Sequence, residues 1–171
     1  MRPAVKPLVP NLFTLSNLLL GIMSLIYTLN GRYTLAAVVI LVSTVLDRMD
    51  GNLARRLGVS SEFGKELDSL ADLVSFGVAP AILAYASVLD EPMGKIGLII
   101  ALGFITCGAI RLARFHVIKV TDYFVGVPIT IAGGLMALFL LLTDHLPFWV
   151  VATSMVFLSG LMVSKIKVKK R

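Results

Sequence analysis

Six long apolar runs, separated by short stretches containing glycine, proline or charged residues, account for most of this 171-residue sequence. Apolar surface of this extent is stable in lipid, where a spanning segment must satisfy its own backbone hydrogen bonds, as a helix does. The composition agrees, because 57% of the residues are hydrophobic, 15% are charged and the mean hydropathy is +0.91. The pattern predicts an all-α integral membrane protein whose six transmembrane helices lie at about Thr14–Leu29, Tyr33–Leu53, Phe63–Leu89, Gly94–Phe115, Pro128–Thr143 and Pro147–Val163.

The domain organisation is expected to be simple, with residues 1–171 forming one membrane domain. Residues 1–13 are expected to lie along the membrane interface, and residues 164–171 form a basic tail suited to anionic lipids. The basic residues occupy short loops and this tail rather than one patch, which excludes a nucleic-acid-binding role. Cys107 is the only cysteine, and His116 and His145 lack the spacing of a zinc site, so neither a disulfide nor a zinc site is expected.

The distribution of positive charge predicts the orientation in the membrane. If the N-terminus is cytosolic, all but Arg32 and Lys95 of the 16 lysines and arginines fall on the cytosolic side. Cytosolic loops of membrane proteins carry such an excess. We therefore expect a multi-pass protein of the cell (cytoplasmic) membrane with both termini, and the loops after the second and fourth spans, in the cytosol.

Six of the ten acidic residues are concentrated between Asp47 and Asp72, inside or beside two apolar runs. Asp47 and Asp50 are three residues apart, and Asp68 and Asp72 are four apart, so each pair shares one helix face. At about 1.5 Å per residue, Asp47 lies about 21 Å from the outer end of its helix, near headgroup level. A short loop joins the two helices, so the acidic faces can meet. Four carboxylates stay ionised side by side only if cations neutralise them, and all-oxygen ligands favour Mg²⁺, Mn²⁺ or Ca²⁺ and can hold two such ions.

These aspartates belong to a longer pattern, Asp47-x2-Asp50-Gly51-x2-Ala54-Arg55-x8-Gly64-x3-Asp68-x3-Asp72. At every fixed position it resembles the signature of the CDP-alcohol phosphatidyltransferase family. The stretches from Phe63 to Pro80 and from Cys107 to Phe115 look like the phosphatidylserine synthase branch of that family. The resemblance covers the six-span layout and roughly the middle two-thirds of the chain.

The resemblance implies an enzyme that transfers the phosphatidyl group of CDP-diacylglycerol, or of an archaeal ether-lipid equivalent, to an alcohol with release of CMP. In the phosphatidylserine synthase branch the alcohol is L-serine. The resemblance also implies a homodimer and two divalent cations, Mg²⁺ or Mn²⁺ with Ca²⁺ as another occupant, bound by the four aspartates. Asp72 would be the general base as well. The residues implied in binding the CDP portion are Asp50, Gly51, Ala54, Arg55 and Ser61.

Four further polar residues are candidates for substrate contact. Thr14 and Asn17 enter the first span, where they would either cap the helix or bond to neighbouring helices, or contact the CDP-lipid. Arg111 and Arg114 are three apart on one helix face at the level of the aspartates, and an arginine can hold a serine carboxylate through two hydrogen bonds. The alternative for both arginines is an ordinary anchor at the membrane surface.

Two other functions use the same kinds of residue. Glycerol 3-phosphate and inositol phosphate are the acceptors of sister branches, and their phosphate would suit the same arginines. A cation transporter also uses intramembrane carboxylates. It would carry them near the midplane, often with a repeated pair of broken helices, whereas these aspartates lie near one face with Arg55 beside them.

Overall fold

The computed structural model describes residues 8–57, 62–117, 123–142, 147–164 and 167–169; for residues 8–10, 50–57, 115–117, 123–125 and 167–169 the description is of the backbone alone. Each apolar run forms one continuous helical segment. In chain order these are α1 (Leu8–Leu29), α2 (Tyr33–Leu57), α3 (Glu62–Met93), α4 (Lys95–Val117), α5 (Ile129–Leu141) and α6 (Phe148–Val163). Their bounds lie within a few residues of the predicted ones, apart from the start of α1.

Helix α1 begins at Leu8 rather than at Thr14. Pro10 lies in its first turn, where a missing backbone amide removes no intrahelical hydrogen bond, so the helix tolerates it. Residues 8–13 of the predicted interfacial segment 1–13 therefore continue the helix, and their position at the membrane interface stays a prediction; residues 1–7 lie outside the described part of the chain.

Three helical stretches are long and apolar enough to cross a membrane: Asn11–Leu29, Glu62–Met93 and Lys95–Arg114. Helices α5 and α6 are apolar but shorter, with 13 and 16 residues. At about 1.5 Å per residue they span roughly 20 and 24 Å, against a hydrocarbon core of about 30 Å. Helix α2 is long but has Asp47, Arg48 and Asp50 in its second half. A helical membrane protein is therefore supported, and the number of six spans stays a prediction.

Helix α3 lies in the middle of the bundle, in contact with α1, α4 and α5. Around it, α1 packs along α2, α2 packs against α5, and α4 packs against α6. The fully buried side chains include Ile40 of α2, Phe76 of α3 and Phe104 of α4. Large apolar side chains such as Leu19 and Ile99 point outwards, as expected for a surface that faces lipid.

Helix α3 is not α-helical throughout, because Leu73–Val78 and Tyr85–Leu89 form wider π-helical turns. The first of these turns begins directly after Asp72. A π-helical turn holds more residues than an α-helical turn and is often found next to functional residues. The face of α3 that carries Asp72 is therefore offset from the faces that pack against other helices later in α3.

Two short strands outside the bundle were not predicted. Strand β1 (Tyr123–Val125) pairs antiparallel with strand β2 (Lys167–Lys169), with Phe124 opposite Val168. The Val127 amide also donates a hydrogen bond to the Leu161 carbonyl, at 3.2 Å. The connection before α5 is thus paired with residues 167–169 of the basic tail. The predicted all-α class omits this β pairing, and the predicted tail is not independent of the rest of the structure.

Cysteine labelling tests the predicted orientation. Arg32 and Glu62 are both exposed and lie just before α2 and at the start of α3, at opposite ends of the bundle. With Cys107 replaced by serine, Glu62→Cys should react with a membrane-impermeant maleimide in inside-out vesicles, and Arg32→Cys in right-side-out vesicles. The opposite pattern would contradict the orientation derived from the positive charges.

Candidate active site

Three carboxylates from two helices converge at one end of the bundle. Asp47 lies on α2, and Asp68 and Asp72 lie one turn apart on α3. One carboxylate oxygen of each residue lies within 4.8 Å of one from each of the other two. Only four residues separate α2 from α3, so the two helices run antiparallel. The helical spacing of the aspartates places them on the faces by which the two helices meet. The structure thus brings together three of the four aspartates predicted to bind metal.

The rest of the predicted nucleotide site lies where only the backbone is described, or outside the described residues. Asp50 follows Asp47 by three residues on the same face of α2, and Gly51, Ala54 and Arg55 occupy the last turns of that helix. Ser61 lies outside the described residues. These assignments stay predictions.

The carboxylate of Asp72 is the most enclosed part of the cluster. Its Oδ1 atom is buried and has no hydrogen-bond partner among the described residues. The Asp47 side chain is within hydrogen-bonding reach of Asp72 and of Thr130, at the start of α5. Buried polar atoms are normally paired, so an unpaired carboxylate oxygen beside two more carboxylates is a position that a bound ligand would complete.

A divalent cation fits this donor set. Carboxylate oxygens are the ligands that Mg²⁺ and Mn²⁺ prefer, and positive charge would relieve the repulsion among three neighbouring anions. Asp47, Asp68 and Asp72 would hold such an ion, with Asp50 one turn further along α2. The described residues nearby offer oxygen rather than sulfur or imidazole, which argues against zinc.

Arg111 and Arg114 of α4 lie in different surroundings. Arg111 interacts electrostatically with Asp72, and its buried Nε atom has no hydrogen-bond partner within the described part of the chain. Arg114 donates a hydrogen bond from Nη1 to the Val163 carbonyl at the end of α6, at 2.9 Å. Arg111 is therefore the arginine that faces the acidic cluster, whereas Arg114 joins two helix ends.

Thr14 and Asn17 are both buried on α1. The Asn17 side-chain oxygen accepts a hydrogen bond from Ser43 of α2, and its backbone carbonyl accepts one from Ser75 of α3, at 2.9 Å. These are the interhelical hydrogen bonds that were one of the two alternatives for Asn17. The contact of Thr14 and Asn17 with the CDP-lipid stays a prediction.

Thr130 was missed by the sequence analysis. It lies in the first turn of α5, two residues after Pro128, and its side chain reaches the Asp47 carboxylate. The available signal was a hydroxyl at the start of an apolar helix that enters from the same side as the aspartates.

A cavity of about 450 Å³ lies at the opposite end of the bundle from the aspartates. Its lining includes Tyr33 at the start of α2, Glu91 near the end of α3 and Leu140 near the end of α5. Asp47 is fourteen residues, or about 21 Å, along α2 from Tyr33. This cavity is therefore remote from the carboxylates, and its size does not make it the reaction site.

Thermal unfolding with and without Mg²⁺ tests the cation site. A ligand at about 100 times its Kd stabilises a protein by about 2.7 kcal/mol, or roughly 5–10 °C in Tm for a chain of this size. Wild-type protein should show a rise of that order. Asp72→Asn should lose most of it and should be no less stable than wild type without cations, because one repelling charge is gone.

The matched control is Glu91→Gln, which removes an exposed acid at the other end of the bundle and should keep the full rise. A wild-type Tm that is indifferent to Mg²⁺, or an Asp72→Asn variant that keeps the rise, would argue against cation binding by these aspartates.

Comparison with known proteins agrees with the residue pattern. The sequence model of the CDP-alcohol phosphatidyltransferase family matches residues 7–161. A CDP-diacylglycerol–serine O-phosphatidyltransferase of Helicobacter pylori is 41% identical over 169 residues, covering 94% of this chain and 71% of the relative. An enzyme of the same name from Bacillus subtilis is 39% identical over 160 residues, covering 93% and 88%. An archaetidylserine synthase of Methanothermobacter thermautotrophicus is 34% identical over 161 residues, covering 92% and 68%. The chain therefore belongs to the CDP-alcohol phosphatidyltransferase family.

Proposed function

We propose that this protein transfers the phosphatidyl group of CDP-diacylglycerol, or of an archaeal ether-lipid equivalent, to L-serine and releases CMP. The observation that carries the proposal is the convergence of Asp47, Asp68 and Asp72 within 4.8 Å, beside Arg111. Relatives named as serine phosphatidyltransferases and as an archaetidylserine synthase support serine as the acceptor.

The four aspartates Asp47, Asp50, Asp68 and Asp72 would hold two divalent cations, Mg²⁺ or Mn²⁺. When bound, the cations would neutralise the diphosphate and stabilise the charge that develops as CMP leaves. Without them, a diphosphate would be repelled by the carboxylates. The proposed contacts of the CDP portion are those of the family signature: Gly51, Ala54, Arg55 and Ser61.

Asp72 is the proposed general base. Its buried Oδ1 atom has no hydrogen-bond partner among the described residues and can accept a proton. The serine hydroxyl oxygen forms a bond to the phosphorus that carries the diacylglycerol, and its proton passes to Asp72. The bond from that phosphorus to the bridging oxygen of the diphosphate breaks, and CMP departs with that oxygen.

Arg111 is the proposed receptor for the serine carboxylate. It faces Asp72, so a carboxylate held there would have its hydroxyl near the base. Arginine binds a carboxylate through two parallel hydrogen bonds, a geometry that lysine lacks. Arg114 is less suited to this role, because its Nη1 atom is already bonded to the Val163 carbonyl.

The reaction is proposed to take place at the cytosolic face of the cytoplasmic membrane. The orientation rests on the positive charges, nearly all of which fall on the side that carries Asp47 and Asp72. The homodimer implied by the family resemblance stays a prediction.

A panel of alcohols tests the proposed reaction. Purified protein supplied with CDP-diacylglycerol and Mg²⁺ should release CMP when L-serine is added, and should stop when EDTA removes the cation. Asp72→Asn should release no CMP with any alcohol. Release with glycerol 3-phosphate or inositol phosphate but not serine would assign the enzyme to a sister branch, and cation flux without CMP release would make it a transporter.

Arginine-to-lysine substitutions test the serine receptor. A hydrogen bond to a charged group contributes about 1.5 kcal/mol or more, so its loss in Arg111→Lys should raise the KM for serine about tenfold. The KM for CDP-diacylglycerol should change little. Arg114→Lys is the matched control, and it should affect Tm more than either KM. Equal serine KM values in wild type and Arg111→Lys would rule Arg111 out as the receptor.

A further inference from the structure

A small polar network lies directly beneath the acidic cluster. Ser43 donates a hydrogen bond to the side-chain oxygen of Asn17, and Ser75 donates one to the backbone carbonyl of Asn17. Asn17 is 1% exposed, and both serines are fully buried. One residue of α1 therefore connects α2 to α3 in the interior of the bundle.

Each of the two serines lies about one helical turn from an aspartate on the same helix. Ser43 precedes Asp47 by four residues on the same face of α2, and Ser75 follows Asp72 by three residues on α3. The bridge through Asn17 therefore sets the separation of α2 and α3 one layer below the point where Asp47 meets Asp72.

Close backbone contacts hold the Ser75 side of this bridge. A methyl group added at Gly21, one turn after Asn17 on α1, would lie 2.8 Å from the Cα of Ser75. On the other side, a methyl group at Gly133 of α5 would lie 2.7 Å from the Cα of Phe76. Helices α1 and α5 thus enclose the π-helical turn Leu73–Val78, and they approach it so closely that neither Gly21 nor Gly133 has room for a side chain.

The repulsion among the carboxylates has to be balanced by attractive contacts between the helices that carry them. Like charges a few ångströms apart in an apolar bundle push their helices apart strongly, because little water is present to screen them. Uncharged hydrogen bonds one turn away can resist this force without adding charge of their own. Another buried hydrogen bond between helices runs from Ser24 of α1 to the Ala36 carbonyl of α2, at 3.0 Å. It lies further along the helices, away from the aspartates.

We propose that the Ser43–Asn17–Ser75 bridge is a positioning device that holds Asp47 and Asp72 at cation-binding separation. The inference rests on the proposed function, because it assigns these three residues to the same site. None of them needs to touch the substrate. Their effect is to keep the carboxylates together before a cation binds, so that binding does not have to draw α2 and α3 together.

Mn²⁺ binding by purified protein, measured by electron paramagnetic resonance, tests the bridge without relying on turnover. Ser75→Ala and Ser43→Ala each remove one hydrogen bond and keep every aspartate. Residues that orient metal ligands typically change metal affinity by about 10- to 100-fold, so both variants should raise the Mn²⁺ Kd at least about tenfold. The same variants should need more Mg²⁺ for half-maximal CMP release, with kcat largely recovered at saturating Mg²⁺.

Ser24→Ala is the matched control, since it removes a buried bond between α1 and α2 at a distance from the aspartates. It should lower Tm by a similar amount and leave the Mn²⁺ Kd unchanged. If Ser75→Ala does not fold, Ser43→Ala decides the question. Unchanged Kd values in the bridge variants, or an equal increase in Ser24→Ala, would overturn the proposal. A wild-type protein that does not use serine, but whose Mn²⁺ affinity falls in the bridge variants, would leave this inference standing and remove only the proposed acceptor.

Discussion

The convergence of three carboxylates in an apolar helical bundle is the constraint on which the rest of this structure depends. One oxygen each from Asp47, Asp68 and Asp72 lies within 4.8 Å of the others. In water such a group would be screened, but among apolar helices the repulsion is strong. The fold therefore has to hold together two helices, α2 and α3, that their own charges drive apart.

Several features of the bundle act against that repulsion. Helices α2 and α3 follow one another closely in the chain, so they cannot move far apart. Arg111 contributes a positive charge beside Asp72, and Thr130 reaches Asp47 from α5. Small residues let α1 and α5 approach α3 at the level of its π-helical turn. A bound cation would relieve this repulsion, and locally unfavourable arrangements of this kind are typical of functional sites.

Much of the fold and the location of the cluster could be predicted from local sequence. The lengths of the apolar runs predicted the helix bounds to within a few residues, except at the start of α1. The spacing of Asp47, Asp68 and Asp72 predicted the helix face on which each lies. Helix α1 begins at Leu8, six residues before its predicted start, because a first helical turn accommodates Pro10. The enzyme family followed from the full pattern of aspartates, glycines and Arg55.

Contacts between residues distant in the chain could not be predicted in this way. The hydrogen bonds of Asn17 join residues 26 and 58 positions away, and the pairing of Phe124 with Val168 depends on where two chain segments end. The different surroundings of Arg111 and Arg114 arise from α6, whose last turn happens to accept one of them. The π-helical turn after Asp72 was not predicted either, although Pro80, which cannot donate a backbone hydrogen bond, lies two residues after its end.

Anomalous diffraction from crystals grown with Mn²⁺ tests the central claim most directly, because it locates the cations without assuming a reaction. The account predicts anomalous peaks at coordination distance from carboxylate oxygens of Asp47, Asp68 and Asp72. Strong peaks elsewhere, with none at these three side chains, would contradict it.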